Sequence, residues 1–228
     1  MHSVFGSCPS AFAGALRRQA SRLCGTAHQG QQQAGYRLLR QAQNLECLAA
    51  LDHAPPRLAA LELAGFAQGL GLALAEVCPH RELLPRLEIP AVCLPVWAPP
   101  LPLAVSVLNL VNNSLLYAGP QPELRLFCRQ AGPWAVLAVR DGGPGLFSCP
   151  LSLPSPGAGL GLALAQRTAH CCGGMLLLDS GSSGLTAALA LPLRPQTCPP
   201  PAPGPGHWLK DRFSPLFLQL ADCCILPD

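Results

Sequence analysis

Apolar side chains return every three or four positions between residues 10 and 53, and they do so in two separate runs. Phe12, Ala13, Leu16, Ala20 and Leu23 form one stripe, with Arg17, Arg18 and Arg22 mostly opposite. Beyond a polar loop near Gly25 to Gly30, Tyr36, Leu38, Leu39, Ala42, Leu45, Leu48 and Leu51 form a second, which stops before Pro55-Pro56. The spacing predicts a hairpin of two amphipathic helices. Such a hairpin cannot bury both stripes by itself. It must pack against the rest of the chain or supply half of a dimeric four-helix bundle, and we expect the homodimer.

From Arg57 onward the pattern is mixed. A helix is predicted over roughly Leu61 to Val77, then an extended, proline-broken segment from Leu87 to Val96, then a helix from about Leu103 to Leu116. Glu123 to Cys128 and Trp134 to Val139 are apolar or alternating enough for strands, turned at Ala131-Gly132-Pro133. A helix opens at Gly159 and stops at Gly173-Gly174. Met175 to Asp179 and Leu185 to Leu191 complete a hairpin around Gly181-Ser182-Ser183-Gly184. Helices and antiparallel strands in alternating blocks predict an α/β sandwich, with helices on one face of a mixed sheet. The expected plan is a helical hairpin over 1–56, the sandwich over 57–194, a Pro/Gly linker over 195–206 and a tail over 207–228. The tail could dock through Trp208, Phe213, Leu216, Phe217, Leu218 and Leu220.

Composition narrows the function classes. Half of the 228 residues are hydrophobic and 12% are charged, so the chain is globular with a sizeable core. A scattered net charge of +3 gives no footprint for nucleic acid. Residues 89–122 carry no charge, yet Pro90, Pro95, Pro99, Pro100 and Pro102, with Asn109, Asn112 and Asn113, fall among them, which argues against a membrane span. The first residues, Met-His-Ser-Val-Phe, do not read as a signal peptide. The 12 cysteines are scattered or vicinal, with no Cys-x-x-Cys pair. They read as buried small hydrophobes of a reduced, cytoplasmic protein, His170-Cys171-Cys172 included.

The candidate chemistry lies in the second half. Asn109 and Asn113 are four apart on a predicted helix, so their amides leave one face, while Asn112 is turned away from Asn113 by about 100°. Asparagine in so apolar a helix is unfavourable unless neighbouring backbone satisfies it or a ligand uses it. An oxygen of Asn113 suits Mg, with Asn109 beside it. Asp141 is the only acid between Glu123 and Asp179, and Gly142, Gly143 and Gly145 follow it. That puts a carboxylate at a strand end where backbone can approach a ligand, and it could accept from the exocyclic amine of adenine. A plain Asp-Gly turn is the alternative. Gly157, Gly159 and Gly161 precede or open the next helix, whose first amides lack helical partners and suit phosphate. Alone, that pattern is no more than a glycine-rich turn.

In this order the three motifs resemble the asparagine box and two glycine boxes of the GHKL ATPases, and most closely the catalytic domain of bacterial sensor histidine kinases. Asn109-Leu-Val-Asn-Asn113-Ser-Leu-Leu-Tyr117 is similar to Asn-Leu-Leu-x-Asn-Ala-x-Lys-Tyr, Asp141 to Gly145 fits Asp-x-Gly-x-Gly, and Gly157 to Leu162 fits Gly-x-Gly-Leu-Gly-Leu. The resemblance covers residues 57–194 well and the helical hairpin more loosely. It implies a Bergerat-type two-layer fold, ATP and Mg as ligands, and a nucleotide site built from Asn109, Asn113, Tyr117, Asp141, Gly143, Gly145, Gly157, Gly159, Leu160, Gly161 and Thr186. It also implies autophosphorylation on histidine, with transfer to a response regulator. The departures are specific. Leu116 replaces the family's lysine, and Phe147 to Pro156, between the glycine boxes, is short, uncharged and proline-rich. With Pro9 aligned to the family's His-Glu-x-x-x-Pro, Val4 stands where the phosphoacceptor belongs, leaving His2 and His28 as candidates. A nucleotide-binding scaffold and a serine kinase of the anti-sigma type are therefore the alternatives.

Overall fold

The two N-terminal stripes become helices α1 (Pro9–Cys24) and α2 (Gln29–His53), which lie along one another. A bidentate pair fastens them, with Arg17 donating to both carboxylate oxygens of Glu46 at 2.6 and 2.5 Å. The computed structural model describes residues 9–24, 29–53, 56–77, 85–117, 123–143, 145, 159–181, 184–196, 199–224 and 226. His2, Val4, His28, Gly157 and the segment Phe147 to Pro156 lie outside the described residues.

Strand β1 (Ala59–Glu62) leads directly into helix α3 (Leu63–Val77) and pairs antiparallel with β3 (Pro95–Ala98). Helical periodicity began this helix two residues too early. Glu62 ends the strand, and its carboxylate caps the helix by accepting from the amides of Ala64, at 3.0 Å, and Gly65. The same carboxylate accepts from Leu94 N–H at 2.9 Å, which ties the small sheet to the helix start.

The main sheet has the order β2-β4-β5-β7-β6. β2 (Arg86–Glu88) runs parallel to β4 (Arg125–Ala131), while β5 (Trp134–Arg140), β7 (Gly184–Pro192) and β6 (Met175–Gly181) complete it in antiparallel fashion. The sheet is mixed, as the block pattern predicted. Period-two alternation sorts its side chains: Leu126, Cys128, Leu137, Val139 and Leu189 face the main core. Val136, Ala138, Ala188 and Ala190 form a small cluster on the other face with Phe127 and Trp134. Helices α3, α4 (Pro100–Tyr117) and α5 (Leu160–Cys171) share the main core with the first set. α4 opens at Pro100, three residues before the expected start, because proline is well suited to a first helical turn. α5 ends where glycine stops it: Gly173 has φ of 76°, and the amides of Gly173 and Gly174 return to His170 and Ala169 carbonyls. Among the described residues no helix is long and apolar enough to cross a membrane.

The segment expected to be a linker is seated on the fold. A Cβ at Gly65 of α3 would stand 2.8 Å from Ala202, and one at Gly69 would run into the Pro203 carbonyl. These two glycines let the proline-rich strap lie against the helix. Helices α6 (Pro205–Leu209) and α7 (Pro215–Gln219) follow. Trp208 packs edge-on to Phe66 of α3, with ring centroids 5.6 Å apart, and Leu216, Phe217, Leu218 and Leu220 join the main core. α7 sits against both α2 and α4.

Candidate functional site

One face of α4 forms a wall of a cavity of about 210 Å³. Leu110, Asn113, Ser114 and Tyr117 recur at the helical positions i, i+3, i+4 and i+7, so all four line it. Asp141 and Gly145 supply the floor from the loop after β5, Leu162 comes from α5, and Leu178, Leu185 and Ala187 come from the last hairpin. The lining is mostly apolar, with a carboxylate, an amide and two hydroxyls set into it.

Asp141 is buried and rigidly held. Its N–H donates to the Leu185 carbonyl at 2.9 Å, and its Oδ1 accepts from Gly143 N–H at 3.0 Å and Leu185 N–H at 3.1 Å. Both bonds fall on Oδ1, so among the described residues Oδ2 is uncommitted. Glycines make this closeness possible. Gly184 opens β7 with φ of 121°, and a side chain there would collide with the Asp141 carbonyl. Gly145 has φ of 76°, and its Cβ would stand 2.7 Å from the Gly181 carbonyl oxygen. Gly145 of the first glycine box is therefore required by the packing of loop on hairpin.

The asparagine box is divided among three surroundings. Asn113 lines the cavity and is only partly buried. Asn112, turned away as its position on the helix requires, accepts from Cys223 Sγ at 3.7 Å. Asn109 is buried and does not line the cavity. Its Nδ2 donates to the Val105 carbonyl at 2.9 Å and to Asn44 Oδ1 at 3.0 Å. Gly161 lies against it, since a Cβ there would stand 2.6 Å from Asn109 Oδ1. Gly159, with φ of 70°, occupies the position before α5, and Leu160 and Gly161 form the first turn. Thr186 sits between the lining residues Leu185 and Ala187 on β7, without lining the cavity itself. The structure thus brings Asn113, Tyr117, Asp141 and Gly145 together, keeps Gly143 as an amide donor beneath them, and sets Asn109 one layer behind.

No family model matches the chain. The sensor protein kinase PmrB of Pseudomonas aeruginosa is 36% identical over 114 residues, which are 42% of this chain and 24% of PmrB. Among solved structures, the Acinetobacter baumannii histidine kinase AdeS is 14% identical with a TM-score of 0.55, the match covering 82% of this chain and 95% of that one. Full-length ShkA, solved in complex with AMPPNP, is 19% identical with a TM-score of 0.60, the match covering 85% of this chain and 46% of that one. The chain carries a GHKL fold of the histidine-kinase catalytic type. It spans between 19% and 24% of the length of the curated relatives it matches.

Within this histidine-kinase-like fold, the apolar lining follows from simple periodicities. Leu110, Ser114 and Tyr117 share the helical face of Asn113, while Leu185 and Ala187 share one face of a strand. Sequence motifs did not single out Leu110, Ser114, Leu178 or Ala187, although the helix and strand periods would have found three of them. Asn44 and Gln219, which meet behind Asn109, belong to no motif at all.

Proposed function

We propose that the cavity binds the adenosine part of a Mg-nucleotide and that the chain is a histidine-kinase-like signalling protein. The observation that carries this is the fixed Asp141 carboxylate, with Oδ2 uncommitted among the described residues, facing a wall that presents Asn113 and Tyr117. An aromatic or apolar base fits the leucine-rich lining, and Asp141 Oδ2 would accept from the exocyclic amine of adenine. Asn113 would offer its amide oxygen to Mg, which fits because that side chain reaches the cavity and has no partner among the described residues. Bound Mg would neutralise phosphate charge, and the first amides of α5, beginning at Leu160, would donate to phosphate oxygens. In the full reading the γ-phosphoryl group passes to a histidine and then to an aspartate of a response regulator. The chain acts as a cytoplasmic homodimer through its N-terminal hairpin.

A second reading, a nucleotide-gated scaffold, is favoured by two sequence facts. Leu116 stands in the place of a phosphate-facing lysine, and no Lys or Arg occurs from Asp141 through Gln166. Incubation of the purified chain with Mg and γ-labelled ATP separates the readings. Acid-labile, base-stable label supports the histidine kinase, and substitution of His2 and His28 then identifies the acceptor. Acid-stable label supports a serine kinase. Absence of label, with nucleotide binding that Asp141→Asn weakens, supports the scaffold. In that variant Oδ1 still accepts from Gly143 and Leu185, but an amide donor now faces the adenine amine. Losing a hydrogen bond to a charged group removes about 1.5–3 kcal/mol, or about 10- to 150-fold in Kd. Absence of both label and binding would sink the nucleotide reading.

A further inference from the structure

A row of buried amides runs from the tail to the asparagine box. Gln219, at the end of α7, is fully buried, and its Nε2 donates to Gln43 Oε1 at 2.8 Å and to Asn44 Oδ1 at 3.2 Å. Asn44, on α2 and also buried, exchanges hydrogen bonds with Asn109. Asn109 Nδ2 donates to Asn44 Oδ1 at 3.0 Å, and Asn44 Nδ2 donates to Asn109 Oδ1 at 3.4 Å. Asn109 then bears on Gly161 in the first turn of α5. Three segments remote in sequence therefore converge on the layer directly behind the cavity.

We propose that Asn44 and Gln219 are positioning residues for the nucleotide site. They act through Asn109 to set the spacing of α4 and α5, the helices that bring Asn113 and Leu162 to the cavity. This rests on the nucleotide reading given above. Packing alone does not call for an amide at position 219: among the described residues Gln219 Oε1 is buried without a partner, a standing cost that leucine or methionine would not carry. What the amide supplies is direction. Its two donated bonds leave Asn44 Oδ1 shared between Gln219 and Asn109, which fixes the orientation of the Asn109 amide toward Gly161. Because binding energies are reciprocal, a nucleotide that draws α4 and α5 into register also tightens the docking of the tail and of α2.

The test uses the full chain and Mg·ADP, titrated by calorimetry into wild type, Gln219→Met, Asn44→Ala and the double variant. Methionine keeps the length of glutamine and removes its hydrogen bonds. Each single variant is expected to bind Mg·ADP about fivefold more weakly or worse, and the double variant no more weakly than the poorer single, since both act through Asn109. Hydrogen exchange in the second turn of α5 supplies an independent reading without nucleotide. It should quicken in Gln219→Met, whereas a merely local role would quicken exchange in α7 alone. Wild-type Kd in both single variants, or unchanged exchange in α5, would overturn the proposal. Failure of wild type to bind any adenine nucleotide would instead overturn the reading of the cavity, and the exchange result would then decide the relay.

Discussion

Replacing Asp222 by alanine should unseat the tail, and the size of the effect follows from who is left behind. The carboxylate takes Arg40 at 3.0 Å and Arg37 at 2.5 Å. Arg37 has a side chain 49% exposed, so water can take over from the carboxylate, and that contact is worth at most about 1 kcal/mol. Arg40 is 3% exposed. Among the described residues its other hydrogen bond goes to the Gln219 carbonyl oxygen at 3.4 Å, too long to hold a guanidinium charge by itself. Removing one partner of a buried pair costs about 3–5 kcal/mol, chiefly because the survivor stays buried and uncompensated. At about 2–4 °C per kcal/mol for a chain of this size, Asp222→Ala should lower Tm by roughly 6–20 °C. Differential scanning calorimetry measures it, with urea titration as a check on the free energy. The same reasoning makes a second demand. Arg40→Met combined with Asp222→Leu removes both charges, so it should recover most of the loss. A single-variant shift below about 2 °C, or a double variant as poor as the sum of its singles, would refute the argument.

Gly161→Ala sets two effects in opposition. Alanine gains about 1 kcal/mol in helix propensity, while pressing a methyl against Asn109 costs about 1–3 kcal/mol. The expected outcome is a protein slightly destabilised by thermal melting with weakened Mg·ADP binding, and a stabilised variant would mean that Asn109 and α5 are not in contact. Gly184→Ala should cost at least about 1–3 kcal/mol from backbone strain alone and also displace Asp141, lowering Tm and nucleotide affinity together. Burial pushes the thiols of Cys47 and Cys128 up to about 12. Both should resist a thiol-disulfide reagent at pH 8 until the chain is unfolded. The native state holds these protons more tightly than the unfolded chain, so the associated stability is present below about pH 9 and is lost as pH rises towards 12. Melting temperatures measured from pH 8 to pH 11 should fall, and Cys128→Ala should flatten part of that fall.

What could be read from the sequence was local in origin. A single turn rule places Asn113 and Tyr117 on one helical face and sends Asn112 the other way. Asp141 stood out as the lone acid of a long stretch, followed by glycines. The same local reading assigned Gly161 to phosphate approach, whereas its nearest demand is the side chain of Asn109 across a helix contact. That requirement comes from another element and leaves no mark on the motif. The tail was harder still. Gln219 and Asp222 find their partners on α2, 175 to 185 positions earlier, and no periodicity encodes such a pairing.

This remote pairing bears on how the N-terminal hairpin could assemble. Its second stripe was expected to meet a partner chain, although packing on its own chain was the alternative. Tyr36 and Leu39 are buried in the main core, with the Tyr36 ring 6.0 Å from that of Phe213, and Cys47 closes on Val105 of α4 and Leu164 of α5. Much of α2's apolar surface is therefore used within the chain. A homodimer built on the hairpin must draw on α1, where Phe12 is 54% exposed, or must first release the tail from α2. The second route would break the Arg40–Asp222 pair and the bonds from Gln219 to α2 at once, so dimerisation by that route and nucleotide binding would compete. The first route leaves both contacts intact. Mg·ADP should then leave the monomer–dimer equilibrium of wild type unchanged in sedimentation if α1 forms the interface, and shift it towards monomer if α2 does.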